Sequence, residues 1–335
     1  MKLIPLYIIV VVFCVACFPE DKAVTPYDRT GLQTATIDVG SDYALQAFYS
    51  LRTNSIVRIE PYTFWDLSFD CHPDSFGVYL NTAQLMGVFK VNASSFETIP
   101  NDTTVFANKW KYDSPSGIID STAIGFWWQK RTTDSVLSKN VLYVTTLGVD
   151  ANGKALGVKK FILLNSTPTN YKIRFANLDG TEDTTMVIEK NPDYNVISLS
   201  MRTKSIQFSE PPKSTWDLHC TRYTQLFTII EEFPYPVTGI FINKSTVKAY
   251  LDTVIDFRVL TTNSIQTQKF TSRKDVIGYD WKTFDFTSAE FLVLPNKTYI
   301  IQSNNQTPYK LFFSDFYDEK TGSKGVIQFQ YRTIE

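Results

Sequence analysis

The strongest constraint on the fold of this chain is an internal repeat. Three short motifs occur twice in the same order: Asp42-Tyr43, Arg52-Thr53 and Trp65-Asp66-Leu67, then Asp193-Tyr194, Arg202-Thr203 and Trp216-Asp217-Leu218. The spacings between the copies are 151, 150 and 151 residues. Because a fixed self-similarity marks a repeated structural unit, the sequence predicts two copies of one fold.

Short strands dominate both copies. Segments 44–51, 77–80, 86–91 and 141–146 are rich in β-branched and aromatic residues and are bounded by turn-forming residues. Asn152-Gly153 tolerates positive φ at both positions and predicts a hairpin turn. The predicted fold is all-β, with two tandem lobes of antiparallel sheet that abut tightly, since no spacer rich in Gly, Ser or Pro separates them.

The predicted copies cover residues 35–185 and 186–335. Tyr309–Phe313 is aligned with Tyr171–Phe175, at a spacing of 138 residues. On this alignment, the strand near Val326 corresponds to the one near Thr184, which also leads into the second copy. The copies therefore either share a strand or abut without a linker.

The first residues read as an export signal. Lys2 precedes an apolar run that is shorter than the roughly 20 residues needed to span a bilayer. Ala16-Cys17 resembles the cleavage site of bacterial lipoproteins, so we expect a signal peptide at 1–16, an acylated Cys17 and a tether at 17–34. Glu20-Asp21 favours display on the outer surface, and an ordinary signal followed by secretion is the alternative.

Composition excludes some functions. The formal net charge is −1 and Lys and Arg form no cluster, which argues against nucleic acid as a partner. Two His, no nucleophile motif and no phosphate-binding Gly loop argue against an enzyme. A non-enzymatic binding protein is expected.

Cys71 and Cys220 follow the repeated Trp in each copy. In an oxidising envelope a disulfide between them would close a long loop. Two separate buried thiols are the other interpretation.

The repeated Trp-Asp-Leu motif is interpreted as part of the scaffold. A buried indole N–H needs an acceptor, and Asp66 and Asp217 are expected to cap a turn or to pair with Arg52 and Arg202.

These motifs, together with Gly278-Tyr279-Asp280-Trp281-Lys282 and the segment 309–329, resemble the HmuY-like family of haem-binding outer-membrane lipoproteins. The resemblance implies an all-β protein that is anchored to the outer membrane by lipid, faces the cell exterior and captures haem for an outer-membrane receptor. In the best-known member two His side chains bind the iron, and some relatives are thought to use Met or have no demonstrated ligand.

The two His of this chain, His72 and His219, both follow Trp-Asp-Leu and are the candidate haem ligands. A neutral imidazole from each of two elements suits an axial pair. Surface or core His is the plainer interpretation, and Met86 and Met201 are interpreted as core residues.

A different function class stays open beside haem capture. Aromatic residues make up 15% of the chain, and Trp127, Trp128 and Tyr235 are expected to be exposed. This composition favours a surface module that binds a glycan, a peptide or a partner protein, or a scaffold beside an outer-membrane complex.

Overall fold

The computed structural model describes residues 31–106, 109–130, 136–228, 231–304 and 306–335. Within these ranges the chain forms 22 strands, five short 3₁₀ helices and no α-helix. The predicted all-β fold class is confirmed. In the same ranges, no helix has the length and hydropathy that crossing a membrane requires.

The strands follow one another along the chain as β1 (Gln33–Asp38), β2 (Leu45–Ser50), β3 (Ser55–Pro61), β4 (Leu67–Asp70), β5 (Val78–Leu80), β6 (Gly87–Val91), β7 (Trp128–Lys130), β8 (Val136–Ser138), β9 (Leu142–Thr146), β10 (Val158–Ser166), β11 (Asn170–Asn177), β12 (Thr184–Glu189), β13 (Val196–Ser200), β14 (Ser205–Gln207), β15 (Leu218–Thr228), β16 (Glu232–Ile242), β17 (Val247–Asp252), β18 (Lys282–Asp285), β19 (Glu290–Val293), β20 (Thr298–Ser303), β21 (Tyr309–Tyr317) and β22 (Lys324–Thr333). The 3₁₀ helices span Thr82–Gln84, Thr103–Phe106, Ile119–Ser121, Thr262–Ser264 and Thr267–Lys269.

The strands form two lobes that repeat one sheet order. In the lobe that we call C-terminal, the sheets run β1-β22-β21-β20-β17 and β3-β2-β15-β16. In the central lobe they run β12-β11-β10-β9-β6 and β14-β13-β4-β5, and β8 and β7 also join the first of these sheets. The central lobe is continuous in sequence, whereas the C-terminal lobe combines β1–β3 with β15–β22.

Each lobe has its own hydrophobic core. Ile37, Tyr49 and Phe329 belong to the core of the C-terminal lobe, and Phe69 and Leu199 to that of the central lobe. The alternation of buried and half-buried residues along β22 is what a strand with one buried face requires. Full burial of such a side chain contributes about 1.5–3 kcal/mol.

The opening strands of each copy lie in the lobe formed mainly by the other copy. β2 pairs with β15, with Phe48 opposite His219. β13 pairs with β4, with Ser198 opposite Ser68. The ranges 35–185 and 186–335 remain predictions for the duplicated sequence unit, and the two cores are assembled across their boundary.

The sheet order corrects the alignment of the last strands. β21 occupies the position of β10, and β22 that of β11. The alignment of Tyr309–Phe313 with Tyr171–Phe175 is therefore wrong by one strand, because neighbouring strands of a sheet share the same apolar alternation. β12 corresponds to β1, which lies 151 residues earlier, so the copies abut without sharing a strand.

The Asp of each Trp-Asp-Leu motif forms hydrogen bonds with a turn of the other copy. The buried carboxylate of Asp66 accepts hydrogen bonds from Met201 N at 2.7 Å and from Arg202 Nε at 3.1 Å. In the other lobe, Asp217 Oδ2 accepts from Leu51 N at 2.8 Å. Asp66 thus binds the turn after β13, and Asp217 binds the turn after β2. Both contacts stabilise the scaffold.

Cys71 and Cys220 are free thiols, and both are buried. Cys220 lies in the core of the C-terminal lobe and Cys71 in that of the central lobe. The disulfide that the sequence left open is not formed in the structure, because Cys71, directly after β4, and Cys220, on β15, belong to different cores. Two separate buried thiols describe them.

The export signal lies outside the described residues. These begin at Gly31, after the predicted signal peptide, Cys17 and most of the tether. Strand β1 includes Gln33 and Thr34, the last two residues of the predicted tether.

Candidate functional site

The two candidate haem ligands lie in different surroundings. His72 is exposed in the turn after β4, where its Nδ1 accepts a hydrogen bond from Asp74 N at 3.2 Å. His219 is on β15 and is 9% exposed. Its ring stacks on Phe48 with 4.1 Å between the ring centroids.

The hydrogen bonds of Gln46 fix the tautomer of His219. Gln46 Nε2 donates to Glu60 Oε1 and to Ser209 O, so Gln46 Oε1 is the acceptor for His219 Nε2, 3.1 Å away. His219 Nδ1 then carries the lone pair and is buried without a partner among the described residues. Burial, with Lys274 and Arg58 nearby, lowers the pKa of His219 well below its ordinary value.

His219 faces a small polar cavity between the lobes. Its volume is about 80 Å³, and Asn195, Glu210 and Lys274 also line it, but His72 does not. This volume can hold a few water molecules and is far below the 300–1,000 Å³ of ordinary ligand pockets. The structure does not bring the two imidazoles into one site of haem size.

A second cavity, which we call the aromatic cleft, has a volume of about 690 Å³ and lies in the C-terminal lobe. Rings and short apolar side chains form most of its wall. Its lining residues are Tyr43, Phe227, Phe233, Tyr235, Pro236, Val237, Thr238, Tyr279, Lys282, Thr283, Phe284, Phe286, Phe291, Phe316 and Lys324.

Two hairpins contribute rings to the wall of the aromatic cleft. The long hairpin β15–β16 provides Phe227 and Tyr235, whose ring centroids are 6.1 Å apart. The hairpin β18–β19 provides Phe284 and Phe291, at 5.1 Å. Phe291 packs edge-on against Phe316 of β21 at 5.2 Å, which joins this wall to the core. Such edge-to-face packing holds the rings in fixed orientations.

Lysines supply the charge in this cleft. Lys282 is 7% exposed, and its Nζ donates to Thr238 O at 2.6 Å. The Nζ also lies over the rings of Trp281 and Phe316, 4.4 Å and 4.5 Å from their centroids. Burial lowers the pKa of Lys282 to about 7. The exposed Lys324 lies over the ring of Tyr43, 5.4 Å from its centroid.

The volume and the lining of the cleft can be compared with what a flat cofactor such as haem requires. The volume of the cleft is in the range of cofactor pockets, and flat rings pack against aromatic walls. The donors available to iron in its lining are the phenols of Tyr43, Tyr235 and Tyr279 and the amine of Lys282. Tyr also serves as a haem ligand in proteins. Across the described ranges, no group of three or more His, Cys, Asp or Glu residues could hold a free metal ion.

The sequence identified one wall residue of this cleft. Tyr235 is 55% exposed, as expected, whereas Trp127 is 1% exposed and belongs to the central core. Trp128 is half-buried. Met86 and Met201 are core residues, as interpreted. Phe and Tyr are frequent between residues 227 and 291, and this was a sequence signal for the cleft. It was missed because the lining residues do not form one continuous motif.

Comparison with known proteins gives one match to a family model. A family model described as HmuY protein matches residues 42–331. A solved structure titled "Crystal structure of Apo PinO from Porphyromonas gingivitis" aligns over 91% of this chain and 98% of that chain, with 10% sequence identity and a TM-score of 0.30. No curated protein matches the chain.

Proposed function

The chain belongs to the HmuY family, and we propose that it is a surface-anchored binding protein that captures haem in the aromatic cleft. The family is one of haem-binding type and surface-associated. The observation that carries the proposal is the cleft itself, about 690 Å³ in volume and walled by aromatic rings from two hairpins.

The residues that would hold haem follow from this geometry. Phe227, Tyr235, Phe284 and Phe291 offer ring faces to the macrocycle, and the removal of apolar surface from water supplies the main driving force. Bound haem would supply a coordinating iron. His72 and His219 do not line the cleft, so the proposal does not depend on the pair that the sequence suggested.

Surface attachment completes the proposal. An acylated Cys17 would hold the protein on the outer membrane, since two or more acyl chains give a stable anchor. Residues 18–32 would separate the anchor from β1. An outer-membrane receptor is the proposed recipient of the haem.

The test is a titration of the mature protein with haemin, followed by its Soret band. We expect a saturable shift in the wild-type protein. Tyr235→Ala and Phe284→Ala each remove one wall ring and should weaken binding up to about tenfold, since ring contacts contribute about 0.5–1.5 kcal/mol each. Phe126→Ala is the matched control, because Phe126 is 47% exposed and Phe284 39%, and Phe126 does not line the cleft.

Two outcomes would overturn the proposal. One is an unchanged Soret band at micromolar wild-type protein. The other is a band that His72→Ala or His219→Ala abolishes while the ring variants leave it intact, which would place the haem elsewhere. Binding of a glycan or a peptide that the ring variants abolish, without a haemin response, would assign the cleft to the alternative function.

A further inference from the structure

The duplication provides an internal comparison for the aromatic cleft. Trp127 and Trp281 are the buried Trp of the two cores, at 1% and 0% exposure, and each is followed directly by a hairpin strand. Shortly before each Trp lies a glycine of positive φ, Gly125 at 61° and Gly278 at 66°. The first residue of the hairpin strand is Trp128 in the central lobe and Lys282 in the C-terminal lobe.

This difference changes the chemistry of the position. Trp128 packs edge-on against Phe76 and Phe126, with centroids 5.9 Å and 5.1 Å apart, so in the central lobe the position is filled by a ring in a ring cluster. In the C-terminal lobe the same position carries an amine that lines a cavity of about 690 Å³.

Lys282 has no carboxylate partner there. Among the described residues that line the cleft there is no Asp and no Glu. The carboxylate of Asp280 influences Lys282 from a distance, and its Oδ2 is paired with Lys297 Nζ at 2.7 Å. The other titratable groups in the lining are Lys324 and the three tyrosines. Thr238 O and the rings of Trp281 and Phe316 surround the amine of Lys282 in place of a counter-ion. Because burying an ammonium ion without a counter-ion is costly, a ligand carboxylate at Lys282 would be stabilising.

We propose that Lys282 is the anion-recognising residue of the aromatic cleft, which therefore selects ligands that carry an acidic group on a flat apolar body. This inference rests on the proposed function, since it assigns the polar end of the ligand in the same cleft. A porphyrin with free propionates belongs to this class.

The amine of Lys282 has hydrogen-bond donors beyond the one that Thr238 O accepts. In the described part of the chain, Thr238 O is its hydrogen-bond acceptor, and an ammonium group has three donors. Two donors remain for a carboxylate. Lys324, exposed on β22 at the same cleft, provides a second positive charge for a ligand that carries two acids.

The test uses metal-free porphyrins, which separate the acid from any iron ligand. Wild-type mature protein is titrated at about pH 6, where Lys282 is protonated, with protoporphyrin IX and with its dimethyl ester. Quenching of tryptophan fluorescence reports binding. We expect the free acid to bind at least about tenfold more tightly, as a hydrogen bond between charged groups requires.

Substitutions of lysine test whether Lys282 causes the preference for the free acid. Lys282→Met should lose most of the preference for the acid, since only Lys324 then supplies charge in the cleft, and Lys282→Arg should keep the preference. Lys310→Met is the matched control: Lys310 is 2% exposed in the same lobe and donates to Phe257 O and Leu260 O, outside the cleft. It should keep the full preference.

Failure of the inference and failure of the proposed function differ. Equal binding of acid and ester by the wild-type protein overturns the role of Lys282 and leaves haem capture standing. Absence of binding by haemin and by both porphyrins overturns the proposed function itself. Because the acid and ester comparison uses only the wild-type protein, equal binding overturns the inference even where Lys282→Met does not fold.

Discussion

Asp66 Oδ1 accepts a hydrogen bond from Arg202 Nε at 3.1 Å, although the two residues are 136 positions apart. The first belongs to one copy of the repeat and the second to the other. Their contact ties the strand that enters the central lobe to the lobe that it completes.

Asp66→Ala should therefore destabilise the protein. The change leaves Met201 N without its acceptor and removes the carboxylate partner of the half-buried Arg202, whose guanidinium keeps its hydrogen bonds to Thr63 O and Gln84 Oε1. We expect the free energy of unfolding to fall by about 2–4 kcal/mol, measured by chemical denaturation. Asp256→Ala breaks an exposed pair with Arg258 and should change stability by less than about 1 kcal/mol. Equal effects of the two variants would contradict the role given to Asp66.

The two tandem copies remain a prediction, but sequence patterns were sufficient for the fold class. They could not show that Asp66 pairs with Arg202 rather than Arg52, because both arginines follow a strand of the same pattern. The alternation of apolar and polar residues indicates which face of a strand is buried. It does not state which lobe receives the strand, so the exchange of β2 and β13 was not predictable.

The candidate site was harder to predict from the sequence than the fold. Tyr43 and Phe316 reach one cleft from opposite ends of the chain, and only the folded sheets bring them together. The two His were selected because both follow the repeated Trp-Asp-Leu motif and the family resemblance implies a pair of His ligands. The structure gives His219 a place between the lobes and His72 a place on the surface.

His219 should make stability depend on pH. Its pKa is lowered in the folded protein, so the unfolded chain binds a proton more readily as the pH falls below about 6.5. Above that pH, His219 does not lower the free energy of unfolding. Below it, the free energy of unfolding falls by up to about 1.4 kcal/mol per pH unit. Unfolding curves at a series of pH values would measure it.

The comparison is made between variants, because burial raises the pKa of Asp113 to about 6 and this group acts in the opposite sense. His219→Gln should show a weaker loss of stability on acidification than the wild-type protein. His72→Gln changes an exposed side chain and should follow the wild-type curve. The reverse pattern would show that His219 is not the group that responds.

Ligand binding should depend on pH through Lys282. With a pKa of about 7, this amine is charged below that value and loses its proton above it. Porphyrin propionates are ionised throughout this range, as carboxylates are. The affinity for protoporphyrin IX should fall as the pH rises from about 6 to about 9, and that for its dimethyl ester should not. In Lys282→Met the two titrations should have the same pH dependence.

The exchange of strands predicts which pieces of the chain fold alone. Residues 63–211 contain the complete central core, from Leu67 to Met201, and the Asp66–Arg202 pair. Residues 186–335 form one sequence copy but lack β1 and β2, whose Ile37 and Tyr49 belong to the C-terminal core. Thermal unfolding of both fragments can be monitored by circular dichroism. We expect a cooperative transition for residues 63–211 and no cooperative transition for residues 186–335. Cooperative folding of 186–335 alone would show that the sequence copy, rather than the strand-exchanged lobe, is the folding unit.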